Sequence, residues 1–380
     1  MKKIVGIIGA AAVLVSSIFA ADVAAATKIN GSLFSYDAAK TFSMFKEGND
    51  SHDYANPNIT FSISDDKAGA TVKLTTDGDD TAVKMTTQTI WFQPIDALKI
   101  TLGNHDVALN KEQIDWTESV TGLGGNGYLI SVNVSGFGLD FGLSQANGNF
   151  WLSKADGVDP AISAFFIKAA YGADFGNIGA FVEFNRGATA LDPATGALSG
   201  GRRTYAWHDA LFGLGDDPKP CWGPKDSAIK NVLFGAGYGN NFNGINMFVN
   251  VAGYMDEKFE WVRPEAYVSG SVDAFSYSAF VAPVIFVDSD VKDYLDYLDQ
   301  KAIGCEVVAK VSYAMDGITP YAYFKDTDLL AKKFTATVKL GATGSVGLMG
   351  WNTWLQIDTG KGPAQDKCDI SVPFELTVSF

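Results

Sequence analysis

Cysteine, histidine and charge are all scarce in this chain, and each scarcity removes a class of function. Only three cysteines occur, Cys221, Cys305 and Cys368. Their spacing matches no zinc pattern, and their odd number leaves at least one thiol outside any disulfide. One disulfide among them and three reduced thiols both stay open. The three histidines are His52, His105 and His208, two of them followed directly by Asp106 and Asp209. Neighbouring strand residues point to opposite faces, so neither His–Asp pair is placed to share a proton. Charged residues make up 19% of the chain, below the roughly 25% usual in soluble domains. Basic residues number 29 against 43 acidic ones, a net charge of −14 that disfavours nucleic acid as a partner.

Long apolar runs are missing too. After residue 26 no segment approaches the roughly 20 apolar residues that a transmembrane helix requires. The run Ala279 to Val287 is among the longest and contains Pro283. The start of the chain differs. Lys2 and Lys3 precede an apolar stretch from Ile4 to Phe19, and Ala24-Ala25-Ala26 follow. That is the three-part pattern of a secretory leader over 1–26, with cleavage expected after Ala26 and Ala20 as the second candidate. Residues 27–380 then form one exported domain.

What the chain does have is glycine (40 residues), aromatics (13%) and a period of two. Ile59, Phe61 and Ile63 alternate with Thr60, Ser62 and Ser64. Similar alternation recurs at Tyr128–Val134, Ile178–Phe184, Met247–Val251, Val307–Tyr313 and Phe334–Leu340. From Asp369 to Phe380, Ile370, Val372, Phe374, Leu376 and Val378 oppose Ser371, Pro373, Glu375, Thr377 and Ser379. An apolar stripe facing a polar one, about 9–11 residues long, suits a tilted strand in a bilayer.

Turn residues punctuate these strands. Short connections are expected at 65–67, 94–96, 135–138, 174–177, 241–244, 271–273, 315–317 and 342–344, where Gly, Asn and Asp supply positive φ. Longer ones are expected at 37–57, 104–126, 147–162, 187–228, 288–303 and 358–368, with three briefer ones at 77–81, 256–258 and 327–331. Short and long alternate throughout, as periplasmic turns and extracellular loops do in outer-membrane barrels. The expected fold is all-β, a transmembrane antiparallel barrel of 18 strands, with 16 as the alternative count. Pro264, Pro283 and Pro373 fall inside strands and predict local bulges. Ser289 to Lys301 carries helical spacing and predicts a short loop helix.

Two features resemble a known family. A chain closing on Phe380 resembles the last strand of bacterial outer-membrane β-barrels, where that residue is a barrel-assembly signal read by the insertion machinery. The run Trp91-Phe92-Gln93-Pro94-Ile95-Asp96-Ala97-Leu98-Lys99-Ile100-Thr101-Leu102-Gly103-Asn104 resembles a hairpin of spirochaete (treponemal-type) outer-membrane porin-like proteins. In it Trp91 and Phe92 are expected at the membrane interface. The resemblance implies a porin: a water-filled channel for passive diffusion of small hydrophilic solutes, seated in outer-membrane lipid, with a homotrimer by analogy. The alternative is a surface-exposed adhesin or structural outer-membrane protein without an open channel.

No catalytic or cofactor motif survives inspection. Gly122-Leu123-Gly124-Gly125-Asn126-Gly127 has dinucleotide-loop spacing, but a polar loop precedes it and a strand follows, where a nucleotide site needs strand then helix. Acidic clusters at Asp77, Asp79 and Asp80, at Asp288 and Asp290, and at Asp293, Asp296 and Asp299 lack calcium-loop spacing and read as solvated loops. No enzyme activity, metal or cofactor is expected. The polar interior of a wide barrel is expected to expose Glu183, Lys310, Lys339 and Glu375 to the lumen. The long loop 187–228 is expected to fold inward and set the constriction with Arg202, Arg203, Asp216 and Asp217. The acidic balance implies a weak cation preference.

Overall fold

The alternating pattern becomes strand after strand in the computed structural model. It describes residues 22–37, 39–47, 58–76, 83–110, 122–144, 165–184, 232–255, 259–287, 303–326, 328–330, 335–361 and 367–379. The first half comprises β1 (Asp22–Tyr36), β2 (Phe42–Glu47), β3 (Asn58–Ser64), β4 (Ala68–Thr76) and β5 (Val83–Ile95). Then come β6 (Leu98–Ala108), β7 (Gly122–Val134), β8 (Phe137–Ser144), β9 (Phe165–Ala173) and β10 (Gly176–Phe184). The second half holds β11 (Val232–Phe242), β12 (Ile245–Met255), β13 (Phe259–Val272), β14 (Phe275–Phe286) and β15 (Ile303–Tyr313). It ends with β16 (Ile318–Asp326), β17 (Ala336–Val346), β18 (Met349–Lys361) and β19 (Lys367–Ser379). No helix among the described residues is long and apolar enough to cross a membrane.

Every neighbouring pair is antiparallel, and the ladder closes on itself. β1 pairs β19 from Ala26↔Ser379 to Tyr36↔Ile370, and on its other edge it pairs both β2 and β3. β2 and β3 therefore share one position, and the 19 strands make a ring of 18. The expectation of 18 strands holds. β2 itself corrects the reading of 37–57 as a single loop. Closure joins the first and last strands of the ring edge to edge, which strands in lipid require because nothing there satisfies a free N–H.

Faces follow from burial. On β12, Phe248, Asn250, Ala252 and Tyr254 are buried, while Val249 and Val251 are exposed at 55% and 47%. On β13 Trp261, Arg263, Glu265 and Tyr267 are buried, and so is Glu260 at the start of the strand. Polar and charged side chains thus share the inner face, and the outer face is an apolar belt. Near the turns that belt carries exposed aromatics such as Phe137, Phe175, Phe242, Phe275 and Tyr313, the interfacial girdle of a membrane barrel.

Most expected turns appear in place. Ser135 and Gly136 take φ of 48° and 83°, and Asn243 and Gly244 take 51° and 88°, the paired positive angles of a tight hairpin. The turn expected at 342–344 is displaced. β17 runs on to Val346, and the reversal falls at Gly347 with φ of 59°. Gly344 is small for a different reason: an added Cβ would lie 2.5 Å from the Trp351 ring.

The prolines also act differently from the expectation. Pro264 and Pro283 lie level across β13 and β14, where the recorded pairing passes from Val262↔Ile285 to Ala266↔Val281 without a register change. The missing donors open a gap in the ladder rather than a bulge. Opposite Pro373, β1 does bulge between Ser32 and Phe34. Trp91 faces inward, with the Lys99 ammonium 4.2 Å from its ring, and Phe92 alone faces out. Adjacent strand residues cannot both meet lipid. The helix expected over Ser289 to Lys301 lies outside the described residues.

Candidate functional site

The feature that shapes the interior is the hairpin of β6 and β7. β5 accompanies β6 only as far as Thr89↔Gly103, and β8 accompanies β7 only to Gly127↔Ser144. Beyond that level, among the described residues, β6 and β7 pair only with each other, through Ala108↔Gly122. The divergence starts at Gly103, whose φ of 94° few other residues adopt and where an added Cβ would fall 2.1 Å from the Gln88 carbonyl oxygen. Asn104 fastens the departure point: its Oδ1 accepts the Gln88 N–H at 3.1 Å, and its carbonyl accepts the Thr89 hydroxyl at 2.8 Å.

Freed from its neighbours, the hairpin turns into the barrel. His105 is buried, its ring centroid 6.0 Å from that of Phe166 on β9, while the next residue Asp106 is exposed. The Lys168 ammonium, ion-paired to Asp140 at 2.9 Å, donates to the Ala108 carbonyl at 3.0 Å. Val107, Leu109 and Leu123 join an apolar cluster with Phe166, Phe181, Leu233, Tyr254, Trp261 and Phe286. These wall residues come from β9 to β14, so one side of the interior is packed and dry.

Glycine makes this approach possible. On the inner face of β10 and β11, a Cβ at Gly179 would meet Leu109 at 2.4 Å, and one at Gly239 would meet the Asn110 amide oxygen at 2.5 Å. The wall there is bare backbone against which the hairpin lies. Gly235, Gly237 and Gly239 repeat at a spacing of two, so they occupy one face of one strand. That period is the one sequence signal of a close approach to this wall, and it gains its meaning only from the hairpin that lies there. Gly122 to Gly127, which has dinucleotide-loop spacing, is in fact the returning arm of the same hairpin.

A buried polar relay continues from the hairpin across the wall. Asn110 Nδ2 donates to Asn250 Oδ1 at 2.7 Å, and Asn250 Nδ2 donates to Glu265 Oε2 at 3.3 Å. Glu265 lies 3.3 Å from Arg263 Nε, and Arg263 Nη2 donates to Glu306 Oε2 at 2.8 Å. Lys325 completes the chain, 3.4 Å from Glu306. Asn250 and Arg263 are 0% exposed. Charges withdrawn this far from water persist only when paired and hydrogen-bonded.

The opposite arc is more open. On β1 and β19, Lys28 and Glu375 form an ion pair at 2.8 Å with side chains 35% and 24% exposed. Lys310 lies 5.3 Å from the half-buried Tyr321 ring, whose hydroxyl donates to Asn352 at 3.0 Å. Lys339 is more enclosed, between Tyr323 at 5.0 Å and Trp354 at 5.4 Å. Above it Trp354, Gln356 and Asp358 are joined by hydrogen bonds of 2.9 and 2.7 Å. Much of this inner charge is paired with opposite charge.

Glu183, Lys310, Lys339 and Glu375 all stand on the inner face, but not in equal exposure. Glu183 and Lys339 are buried at 4% and 5%, whereas Lys310 and Glu375 are half-buried. Arg202, Arg203, Asp216, Asp217, His208 and Phe380 lie outside the described residues. Cys305, on the outer face, and Cys368 are free thiols, and Cys221 is also outside the described set. Among the described residues no group of three or more ligand-type side chains is arranged for a metal ion.

No protein-family model matches the sequence, and neither does any curated protein. Solved structures do match. The outer membrane protein OprD from Pseudomonas aeruginosa is similar at a TM-score of 0.53 and 8% identity, over 95% of this chain and 94% of that one. OccK9 (OpdG) from the same organism gives 0.52 and 11%, covering 95% and 98%. OccK3 (OpdO) gives 0.51 and 9%, covering 94% and 96%. At such identities the likeness shows a shared barrel fold, followed nearly end to end.

Proposed function

We propose that the chain is an outer-membrane porin that passes small hydrophilic solutes by diffusion. The observation that carries this is the divided interior: a dry, hairpin-filled side and a half-exposed polar arc facing it. A barrel of about 16 or more strands is wide enough to leave an aqueous channel. A hairpin resting on one wall narrows such a channel without closing it, and solutes then pass along the arc of Lys28, Glu375, Lys310, Tyr321 and Asn352. The inward hairpin of β6 and β7 supplies a constriction of its own; the one expected of 187–228 lies outside the described residues. Ion preference then follows the charged groups exposed along this arc rather than net charge. The barrel similarity to outer membrane proteins supports the location. The hairpin 91–104 supports kinship with spirochaete porin-like proteins, and homotrimers and recognition of Phe380 by insertion machinery belong to the same reading.

The packed cluster around Leu123 favours a second reading, a plugged surface protein. Single-channel recording in planar bilayers separates the two. Discrete conductance steps are expected from folded protein, and their absence would leave the adhesin or structural role.

The leader boundary is also revised in this proposal. Asp22 to Ala26 pair with Ser64 to Thr60 on β3. Cleavage after Ala26 would strip β3 of those partners, so we place the boundary at the second candidate, after Ala20.

A further inference from the structure

We propose that Asn250, oriented by Glu265, is the positioning residue that holds the β6–β7 hairpin against the wall and thereby sets the channel's conducting width. The inference rests on the porin reading above. Asn250 sits on β12, 140 residues from its partner Asn110, and no ladder contact brings the two together. An amide is suited to this post because it offers a donor and an acceptor on one planar group. The Glu265 carboxylate, beside Arg263, accepts from Asn250 Nδ2. That leaves Asn250 Oδ1 facing the hairpin, where it accepts from Asn110. The orientation of one side chain is thus fixed from behind by a buried ion pair.

The wall leaves no slack around this joint. A Cβ at Gly237 would lie 2.1 Å from Asn250 Oδ1 and 2.9 Å from Asn110 Nδ2, so the position admits glycine only while the bridge stands. The apolar contacts of Leu109 and Val107 press the hairpin inward but can slide. The bridge is directional, and it is the polar contact that registers the hairpin's end against β12.

The test is single-channel recording on the full-length mature protein with five variants. Asn250→Leu removes the bonds to Asn110 and Glu265 and keeps the branched shape. Asn110→Ala removes the same bridge from the hairpin side and leaves the wall intact. Loss of one net hydrogen bond raises the occupancy of a displaced, wider state about fivefold, seen as more frequent visits to a higher conductance level. The double variant should add nothing, because both changes break one contact. Glu265→Gln supplies a competing donor, lets the amide turn over, and shifts occupancy the same way. Gly350→Ala is the control, since the nearest atom to its added Cβ is 3.8 Å away.

Heat-modifiable gel migration confirms that each variant forms a barrel. Wild-type level patterns in both folded Asn variants would overturn the positioning role while leaving the porin reading intact. Absence of steps in the wild-type protein would overturn the porin reading, and the positioning role with it.

Discussion

Replacing Arg263 by Met tests whether the interior behind the hairpin is dry. Arg263 is 0% exposed and serves two carboxylates, Glu265 at 3.3 Å and Glu306 at 2.8 Å. Both carboxylates are themselves buried, at 1% and 2%. Arg263→Met keeps the unbranched stem of the side chain but takes the guanidinium from both Glu265 and Glu306. Removing one partner of a buried pair costs about 3–5 kcal/mol, because the remaining charge has neither water nor counter-ion. Replacing the group together, as Arg263→Met with Glu265→Leu and Glu306→Leu, removes the stranded charges and should recover most of that loss. The assay is urea unfolding of the refolded barrel, followed by tryptophan fluorescence and gel migration. A single-variant cost below about 1 kcal/mol is what a solvated pair is worth. That result, or a triple variant weaker than the single one, would refute the dry interior.

Three further outcomes follow from separate parts of the molecule. Mass spectrometry of the amino-terminal peptide of the mature protein should find Asp22 retained, and a mature chain starting at Thr27 would refute the revised boundary. Asp96, in the turn after β5, is held below the usual carboxylate range first by its hydrogen bond from Lys67 and then by that residue's charge. Its stabilising pair is complete above the ordinary value of 3.8 and is lost as pH falls through the lowered folded value. In Lys67→Met, a titration of Asp96 by NMR should therefore move upward toward 3.8, and an unchanged midpoint would deny the pairing. Deleting Phe380 should lower the fraction of heat-modifiable, outer-membrane-inserted protein, while a normal fraction would show that assembly does not read this residue.

Strand identity was legible because a barrel wall separates lipid from interior at every second residue. Ile370, Val372 and Leu376 carry that contrast openly, and so do Ser135-Gly136 and Asn243-Gly244 at the turns. The hairpin was not legible in the same way. His105, Val107 and Leu109 alternate like any strand, and nothing in them tells that among the described residues the pairing with β5 stops at Gly103. Residues 104–126 therefore read as a loop, while 187–228, the segment expected to fold inward, lies outside the described residues. The buried relay was also hidden, since Asn250, Glu265 and Glu306 stand on three strands and each looks like an ordinary lumen-facing polar residue. Only the lateral order of β12, β13 and β15 brings them within reach, and lateral order depends on the whole ring. The Gly235-Gly237-Gly239 period was present in the sequence, but its meaning depends on what lies against it.

The hairpin and the glycine wall explain each other. A wide barrel with a fully lined interior holds water throughout, and an apolar hairpin placed there would expose Val107, Leu109 and Leu123. Removing side chains from one strip of wall lets the hairpin approach to backbone distance, so those residues and Phe166, Phe181 and Trp261 leave water together. The polar cost falls on whatever inner-face charge is covered in the process. Arg263, Glu265 and Glu306 meet it by pairing with one another, and Asn250 meets it by bonding back to the hairpin that covers it. The same contact that satisfies a buried amide thus fixes the edge of the remaining opening. A change to the wall charges behind the hairpin should therefore be felt in conductance, even though none of them borders the solute path.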